Sequence, residues 1–600
     1  MTISAQTPIE RTTEKNTVRS AATPVTFSDT VGLFMPARGA GARVGVLFVS
    51  PWGLEEMCLR KFWRVIADDL SDRGVASLRF DYPGTGDALD KADYSAGLRI
   101  WEDCAVAATA RLRSLSGCEK IIVVSQGLGS AIATRVAERL QGVEAIAHLA
   151  PVTSGRTYLR EMQIWSRMVE EGLGVAKAHR AAEGMVIAGI EMPSEIATDI
   201  RKLDISEPPL KPAPQYLVVK RVDRPTDAAF ASKLRELGAE VTEAEYQGYD
   251  DLISNPAMAV MPETVRSLIL DWISTVLARF PGSVAHQESG PLGMPCLDGE
   301  NFRETPLRFG GSNRLYGVLC EPLGARRGAT AVLLGTAYDR NAGWGRSGVS
   351  MARDLAARGI ASLRFDCANV ADSPPVPGVA DQVLYNRAQT DDVVAALDLI
   401  ERRDMLPAIV SGRCSGAYLA FRSAVQDGRV SGAVAVNPFV FYWDPSQDTD
   451  QFLRFVPRTL GDYKGRLFQA ETFRRLIQGR VDVKRSLANI GRALWRRIAR
   501  HAMPVVHLLP GNRALRREVV NAFRDLSARN VAVSLIYSEN DVGLDHFAEQ
   551  FGTKGKGLRR YANASLTILE GADHNLTPEP ARRAYLESVA DMALSQSEKA

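Results

Sequence analysis

Histidine and cysteine are scarce in this chain, seven of each in 600 residues. The cysteines, Cys58, Cys104, Cys118, Cys296, Cys320, Cys367 and Cys414, are scattered, odd in number and never spaced C-x-x-C. That spacing excludes a disulfide framework and a structural zinc site, and it fits a reducing cytoplasm. No stretch approaches ~18 consecutive apolar residues, so no transmembrane helix is expected. The opening Met-Thr-Ile-Ser-Ala-Gln-Thr-Pro has no basic segment ahead of an apolar one, so no secretory signal is expected either. The net charge is only +3, which gives no global pull toward nucleic acid or membrane. Two glycine pairs, Gly84-Thr85-Gly86 and Gly127-Leu128-Gly129, lack the lysine of a phosphate loop. Neither a metal nor a cofactor is called for.

What is present is ordinary in bulk: 46% hydrophobic and 24% charged residues, as in soluble globular proteins. The length exceeds what one hydrophobic core supports. An internal repeat then organises the chain. Residues 69–81 read DLSDRGVASLRFD and residues 354–366 read DLAARGIASLRFD, an offset of 285 with three differences. Each segment reads as a helix end, a turn at Gly74 or Gly359, and an apolar strand running to Asp81 or Asp366. Each follows an apolar strand, a loop and a helix (VGVLFVS from 44, TAVLLGT from 330). Each precedes a helix and another strand (KIIVVS from 120, PAIVSG from 407). Alternating strands and helices, with near-continuous apolar strands, predict a parallel sheet covered on both faces. The expected organisation is a loose N-terminus over 1–21, one α/β copy over 22–283, a linker over 284–299 and a second copy over 300–595. The linker sits in FPGSVAHQESGPLGMPCLDGEN, rich in Gly and Pro.

In the second copy the strand from 407 runs into Gly412-Arg413-Cys414-Ser415-Gly416-Ala417 and then a helix-like AYLAFRSAV. This is the strand–turn–helix setting of a nucleophile elbow, with cysteine at its centre. Small residues two before and two after the nucleophile relieve the sharp turn. The following helix aims its N-terminus at the thiol, favouring thiolate. Ser415, read as nucleophile, would need glycines at 413 and 417, which are Arg and Ala. Its backbone N–H is instead a candidate oxyanion donor. The partner donor is expected from Gly335-Thr336-Ala337-Tyr338-Asp339, with Thr336 or Ala337 as candidates.

Sites of this type place the nucleophile, the acid and the histidine in that order. Asp541 follows the apolar strand VAVSLIYS, and His574 lies in the loop after SLTILE. His574 would take the thiol proton, and Asp541 would fix its tautomer and stabilise its cation. Glu539, Asp545 and Asp573 are alternative acids. Of the other histidines in this copy, His546 is expected at the surface and His507 in the core; His501 is the third. In the first copy the elbow position is Gly127, between Ser125 and Ser130. The histidine position falls on Asp251, aligned through Gly248 and Gly571, while Asp223 remains as an acid. The first copy is therefore expected to keep the fold without the chemistry. A different site there would have to use Asp81, Asp87 or Asp251.

At the elbow, Asp541 and His574, the second copy resembles the α/β-hydrolase superfamily, whose cysteine variants include dienelactone hydrolases and polyhydroxyalkanoate synthases. The first copy resembles hydrolases associated with exopolysaccharide and exosortase gene systems, through SPWGLEEM (50–57) and FDYPGTGDA (80–88). It departs from them at Gly127 and Asp251. The resemblance implies two tandem α/β-hydrolase domains, each a mostly parallel sheet flanked by helices. It also implies an acyl-enzyme on Cys414, since a thioester intermediate suits transfer to acceptors besides water.

Nucleophile to acid spans 96 positions in the first copy and 127 in the second, so a larger cap is expected over about 440–505 of the second. Residues 451–500 hold 13 Lys or Arg against 3 Asp or Glu, which is net +10. A segment of that charge is either a solvated face or a dock for an anion: coenzyme A phosphates, an acidic carrier protein, an anionic glycan or a membrane surface. The expected function is an ester or thioester hydrolase, or an acyltransferase. The contrasting expectation is a non-catalytic scaffold whose basic cap docks an acidic partner. A homodimer is also possible on this reading, as is an internal pseudo-dimer of the two copies.

Overall fold

The computed structural model describes residues 21–173, 175–180, 184–208, 212–284, 293–379, 381–444, 449, 510–552 and 555–596. The basic cap segment, with His501 and His507, lies outside them. Two large sheets carry the chain. Across the first sheet the strands run Thr23–Phe27, Thr30–Met35, Ser77–Phe80, Val44–Val49, Lys120–Gln126, Val143–Leu149, Gln215–Lys220, Glu240–Glu245. Across the second they run Leu297–Asp298, Phe302–Phe309, Leu315–Pro322, Ser362–Phe365, Thr330–Leu334, Ala408–Arg413, Val430–Val436, Ala532–Ser538, Ala564–Leu569. Apart from the short extra edge strand, the two orders are the same. In each, an antiparallel hairpin leads in and joins the next strand antiparallel, and the strands from there on pair parallel with one another. Sequence reading missed both hairpins, because their strands lie outside the strand–helix alternation.

The local reasons are direct. Val44–Val49 is buried at every position, since helices cover both faces of the sheet. In the helix Leu54–Asp72, Leu59, Phe62, Trp63, Ile66 and Leu70 recur at helical spacing and are all fully buried. Gly74 and Gly359 take φ of 76° and 84°, the left-handed turn their glycines permit. Among the described residues no helix is long and apolar enough to cross a membrane.

Counting length against the first copy concealed an insert that the first copy itself carries. The first half carries the helices Gly155–Gly172 and Ser194–Lys202, and a hairpin of Met185–Ile187 with Ile190–Met192, between its strands Val143–Leu149 and Gln215–Lys220. The tip of that hairpin, Gly189, packs against Gly345 of the second half.

Between the halves lies a network of buried charges. Arg79 meets Asp372 at 2.5 Å, and Arg364 meets Asp87 at 3.2 Å. These two pairs are related by the 285-residue offset of the repeat, so each half offers the other the same arginine and the same aspartate. Arg340 bridges Asp81 at 2.8 Å and Asp87 at 3.3 Å, while Arg60 reaches Asp81 at 2.9 Å and Asp372 at 2.6 Å. Asp81 and Asp87, considered above as parts of a different active site, are consumed by these pairs.

Candidate active site

Cys414 stands between the strand Ala408–Arg413 and the helix Ser415–Gln426, at φ 55° and ψ −119°. A side chain other than glycine is strained there, and the surrounding structure must hold it. The Cys414 N–H donates to Val436 O at 2.8 Å, pinning the turn to the neighbouring strand. The flanking glycines have a steric cause. A Cβ on Gly412 would lie 2.4 Å from Gly416 O, and one on Gly416 would lie 2.7 Å from Gly335 O.

His574 sits in the loop that leaves Ala564–Leu569 through Gly571, at φ 66°. Its Nδ1 lies 2.5 Å from Asp541 Oδ2, and the other Asp541 oxygen accepts from the Gly543 N–H at 2.8 Å. On its other side His574 hydrogen-bonds the Cys414 thiol. The three residues that the sequence brought into order are thus in one hydrogen-bonded line. The alternative acids are engaged elsewhere. Asp573 accepts from the Thr577 N–H at 2.6 Å and its hydroxyl at 2.9 Å, which holds the loop's shape. Glu539 accepts from the Gly571 N–H at 3.4 Å. Asp545 falls in the first turn of the helix Gly543–Phe551. His546 is half-buried, against Phe439 and Glu549.

Burial alone would push the Cys414 thiol up, but the charge and hydrogen bond of His574, the Arg413 charge and the Ser415 N–H hold it below the ordinary thiol value. Burial also opposes the imidazolium, yet the Cys414 thiolate and the Asp541 hydrogen bond raise His574 to about 10. Both shifts favour the thiolate–imidazolium form of the pair.

Of the oxyanion candidates, the Ser415 N–H is aimed at the Cys414 sulfur. The Ala337 N–H is already given to Ser415 Oγ at 2.7 Å, so it is not a free donor; a serine hydroxyl beside the loop claims it first. The Thr336 hydroxyl donates to Arg413 O at 2.9 Å, tying the loop to the elbow, and its N–H makes no hydrogen bond among the described residues. Sequence reasoning missed two positioning side chains. Asn437, buried just past Val430–Val436 at φ 49°, donates to His574 O at 3.0 Å and accepts from the Ser538 N–H at 2.7 Å. Arg413 bonds Asn575 and lies 4.0 Å from Asp339, whose carboxyl burial pushes up to about 6 against the Arg413 charge. A polar residue at positive φ after an apolar strand is a weak signal, so only the fold exposes Asn437.

Beside Cys414 lies an apolar cluster of Leu384, Tyr385, Tyr418 and Trp443, with Ala337 and Tyr338 against it. Tyr385 stacks on Trp443 at 4.6 Å. A cavity of about 660 Å³ also opens along the loop, lined by Thr336, Asp339, Asn341, Ser411, Arg413 and Asn575.

The first half repeats the elbow without its chemistry. Gly127 has φ 54° and ψ −127°, nearly the Cys414 geometry, at the start of the helix Leu128–Val136. A Cβ there would meet Glu55 Oε2 at 2.4 Å. The buried Glu55 carboxylate accepts from Gln126 at 3.0 Å and from the Tyr249 hydroxyl at 3.3 Å. Burial raises it, against the Gln126 bond and the Arg221 charge. Asp223 is exposed. Asp251 belongs to the short helix Tyr249–Ile253 and is exposed, and it is Tyr249 from that turn that faces the elbow region.

A strained strand-to-helix elbow over a mostly parallel sheet, with a hydrogen-bonded acid and histidine beyond later strands, is the α/β-hydrolase fold. In agreement, residues 331–585 match the model of the alpha/beta hydrolase family. No curated protein matches the chain. Solved structures similar to it include dienelactone hydrolase from Anabaena variabilis, 13% identical, covering 49% of this chain and 97% of that one at a TM-score of 0.30. A cold-adapted esterase from an Arctic intertidal metagenomic library is 13% identical, covering 50% and 97% at 0.28. Proline iminopeptidase of Mycobacterium smegmatis is 14% identical, covering 43% and 99% at 0.29.

Proposed function

We propose that the second half is an acyl-transfer enzyme working through a thioester on Cys414. The observation that carries this reading is the line Cys414–His574–Asp541, with His574 Nδ1 2.5 Å from Asp541 and Cys414 at a strained elbow. The Cys414 thiolate attacks the carbonyl carbon of an ester or thioester, forming the C–S bond and a tetrahedral oxyanion. The Ser415 and Thr336 N–H groups are the donors proposed for that oxyanion. Collapse breaks the bond to the leaving group, which takes its proton from the His574 imidazolium. An acceptor, water or another nucleophile, then gives its proton to neutral His574 and attacks the thioester carbonyl. The thiolate leaves and the ion pair is restored. Asp541 holds the imidazole with Nε2 toward the sulfur throughout.

The first half, over 22–283, is read as a pseudo-enzyme. Gly127 offers no nucleophile, Glu55 occupies the space one would need, and Asp223 is turned to solvent. The net +10 of residues 451–500 favours an acidic acyl carrier or donor.

Intact-mass measurement after incubation with an acyl thioester tests the mechanism. One acyl group should appear on the wild type and none on Cys414→Ala. An unmodified wild type, or equal labelling of the variant, overturns it.

A further inference from the structure

The loop that leaves the strand Thr330–Leu334 is fastened at both ends, to different halves. Its first residues belong to the candidate active site. The Thr336 hydroxyl donates to Arg413 O at 2.9 Å and the Ala337 N–H to Ser415 Oγ at 2.7 Å, which ties this end to the elbow. Its later residues, Arg340 to Arg346, are tied to the first half. The buried Arg340 reaches the two oxygens of Asp81 at 3.1 and 2.8 Å, Glu56 at 3.2 Å and Asp87 at 3.3 Å. Trp344 packs against the first half's core, beside Ile187 and Ala188 of the inserted hairpin. Arg346 donates to Gly86 O at 2.8 Å and also bonds Ala88 O and Asp90. At the hairpin tip, a Cβ on Gly189 would lie 3.1 Å from Gly345 Cα.

A series of turns joins the two fastenings. The Asp339 N–H donates to Thr336 O at 2.9 Å, the Gly343 N–H to Arg340 O at 2.8 Å and the Arg346 N–H to Gly343 O at 3.0 Å. The backbone along this path is strained. Ala337 stands at φ 49° and Arg346 at φ 63°, a region that disfavours residues with a side chain. Such a loop keeps one shape only while its surroundings over-determine it. Those surroundings come in large part from the other α/β copy, which has Gly127 and no nucleophile at its own elbow.

We propose that the first half braces the oxyanion loop of the second, with Arg340, Trp344 and Arg346 as positioning residues for the Thr336 N–H. This rests on the reading of Cys414 as the acylated nucleophile, and it gives the first half a part in that reaction. The three side chains are engaged with the first half, so they act through the backbone of the loop. What they set is the direction of the Thr336 N–H when the oxyanion forms. A donor is effective when it is aimed before the charge develops. A misplacement of about 1 Å, caused far from the chemistry, costs on the order of 100-fold in rate.

Two reactions of Cys414 separate bracing from general damage. Acylation by a thioester passes through a tetrahedral oxyanion. Alkylation by iodoacetamide displaces iodide at a saturated carbon and forms none. Arg340→Met removes the tie to Asp81, and Arg340→Lys keeps a cation there. Trp344→Ala loosens the same loop at a half-buried ring, without unpairing a buried charge. The acyl donor is the hexanoyl thioester of N-acetylcysteamine, and timed intact-mass spectra read the adduct. In Arg340→Met and Trp344→Ala the saturating rate of acylation should fall about 10- to 100-fold. The half-saturating concentration should hold, because the weakened interaction is made only in the transition state. Alkylation of Cys414 in both variants should match wild type, and Arg340→Lys should recover part of the acylation rate. Acylation at the wild-type rate in either variant overturns the proposal. So does a parallel loss of acylation and alkylation, which is the result of a loosened domain and not of a displaced donor. In both of those cases the wild type still acylates and the Cys414 mechanism stands. A wild type that takes up no acyl group overturns that mechanism, and the brace with it.

Discussion

At the scale of single residues, the proposed chemistry turns on one proton. An ordinary cysteine titrates near pH ~8.5 and is a poor nucleophile below it. At Cys414, burial works against ionisation, and the His574 cation with the Ser415 N–H outweighs it. Since the thiol is lowered and His574 is raised to about 10, the ion pair persists from below the ordinary thiol range up to that value. Alkylation of Cys414 by iodoacetamide should therefore reach its full rate at a lower pH than a free thiol does, and fall as the pH drops through the lowered thiol value. His574→Ala should shift that fall upward, toward the ordinary thiol range. Mass spectrometry of the Cys414 peptide across pH reads both curves; superimposable curves would contradict the ion pair. Cysteine, acid and histidine were each legible in the sequence, because each follows an apolar strand at its expected place. Asn437 and Arg413 were not, since their roles depend on which loop lies against them.

At the scale of elements, the elbow is a backbone device that both halves share. Gly127 and Cys414 have almost the same φ and ψ, so the first half has the same turn with glycine where the second has Cys414. Restoring a thiol there does not restore a site. A Cβ would meet Glu55 at 2.4 Å, and L-residues at that φ are strained. Gly127→Cys should therefore cost about 1–3 kcal/mol of stability. In a Cys414→Ala background it should also give no acyl adduct. Denaturant unfolding and intact mass together check this; a stable variant that acylates would refute the pseudo-enzyme reading. The insert over Gly155–Gly172 and the hairpin to Met192 was hidden from sequence comparison, because a length difference measures only what one copy has in excess.

At the scale of the whole molecule, the two halves meet as an isologous pair would, each presenting its arginine to the other's aspartate. Burial raises the Asp81 carboxyl, and the Arg340 and Arg60 charges overcome it and hold it at about 2. A carboxyl depressed in the folded state stabilises fully above its unfolded value of ~3.9 and loses that contribution as pH falls toward 2. Arg340→Met removes a charge shared by Asp81 and Asp87 and should destabilise by about 3–5 kcal/mol at neutral pH, because buried carboxylates are left underpaired. Below pH ~4 the difference from wild type should shrink, as the wild type loses the Asp81 contribution on the way down to about 2. Thermal unfolding at the two pH values measures it; an equal loss at both would show that packing, and not charge, holds the interface.

The sequence by itself determined the repeat, the parallel sheets and the order of Cys414, Asp541 and His574. These follow from local apolar periodicity and from small residues at a tight turn, which neighbours along the chain dictate. Only the tertiary structure decided that the halves lock together through Arg79, Arg364, Arg340 and their aspartates, that Ala337 spends its N–H on Ser415, and that Gly345 meets Gly189 of the other half. Those contacts join residues some 80 to 290 positions apart, and a charge or a free N–H finds its partner only when the packing of two sheets brings it within reach.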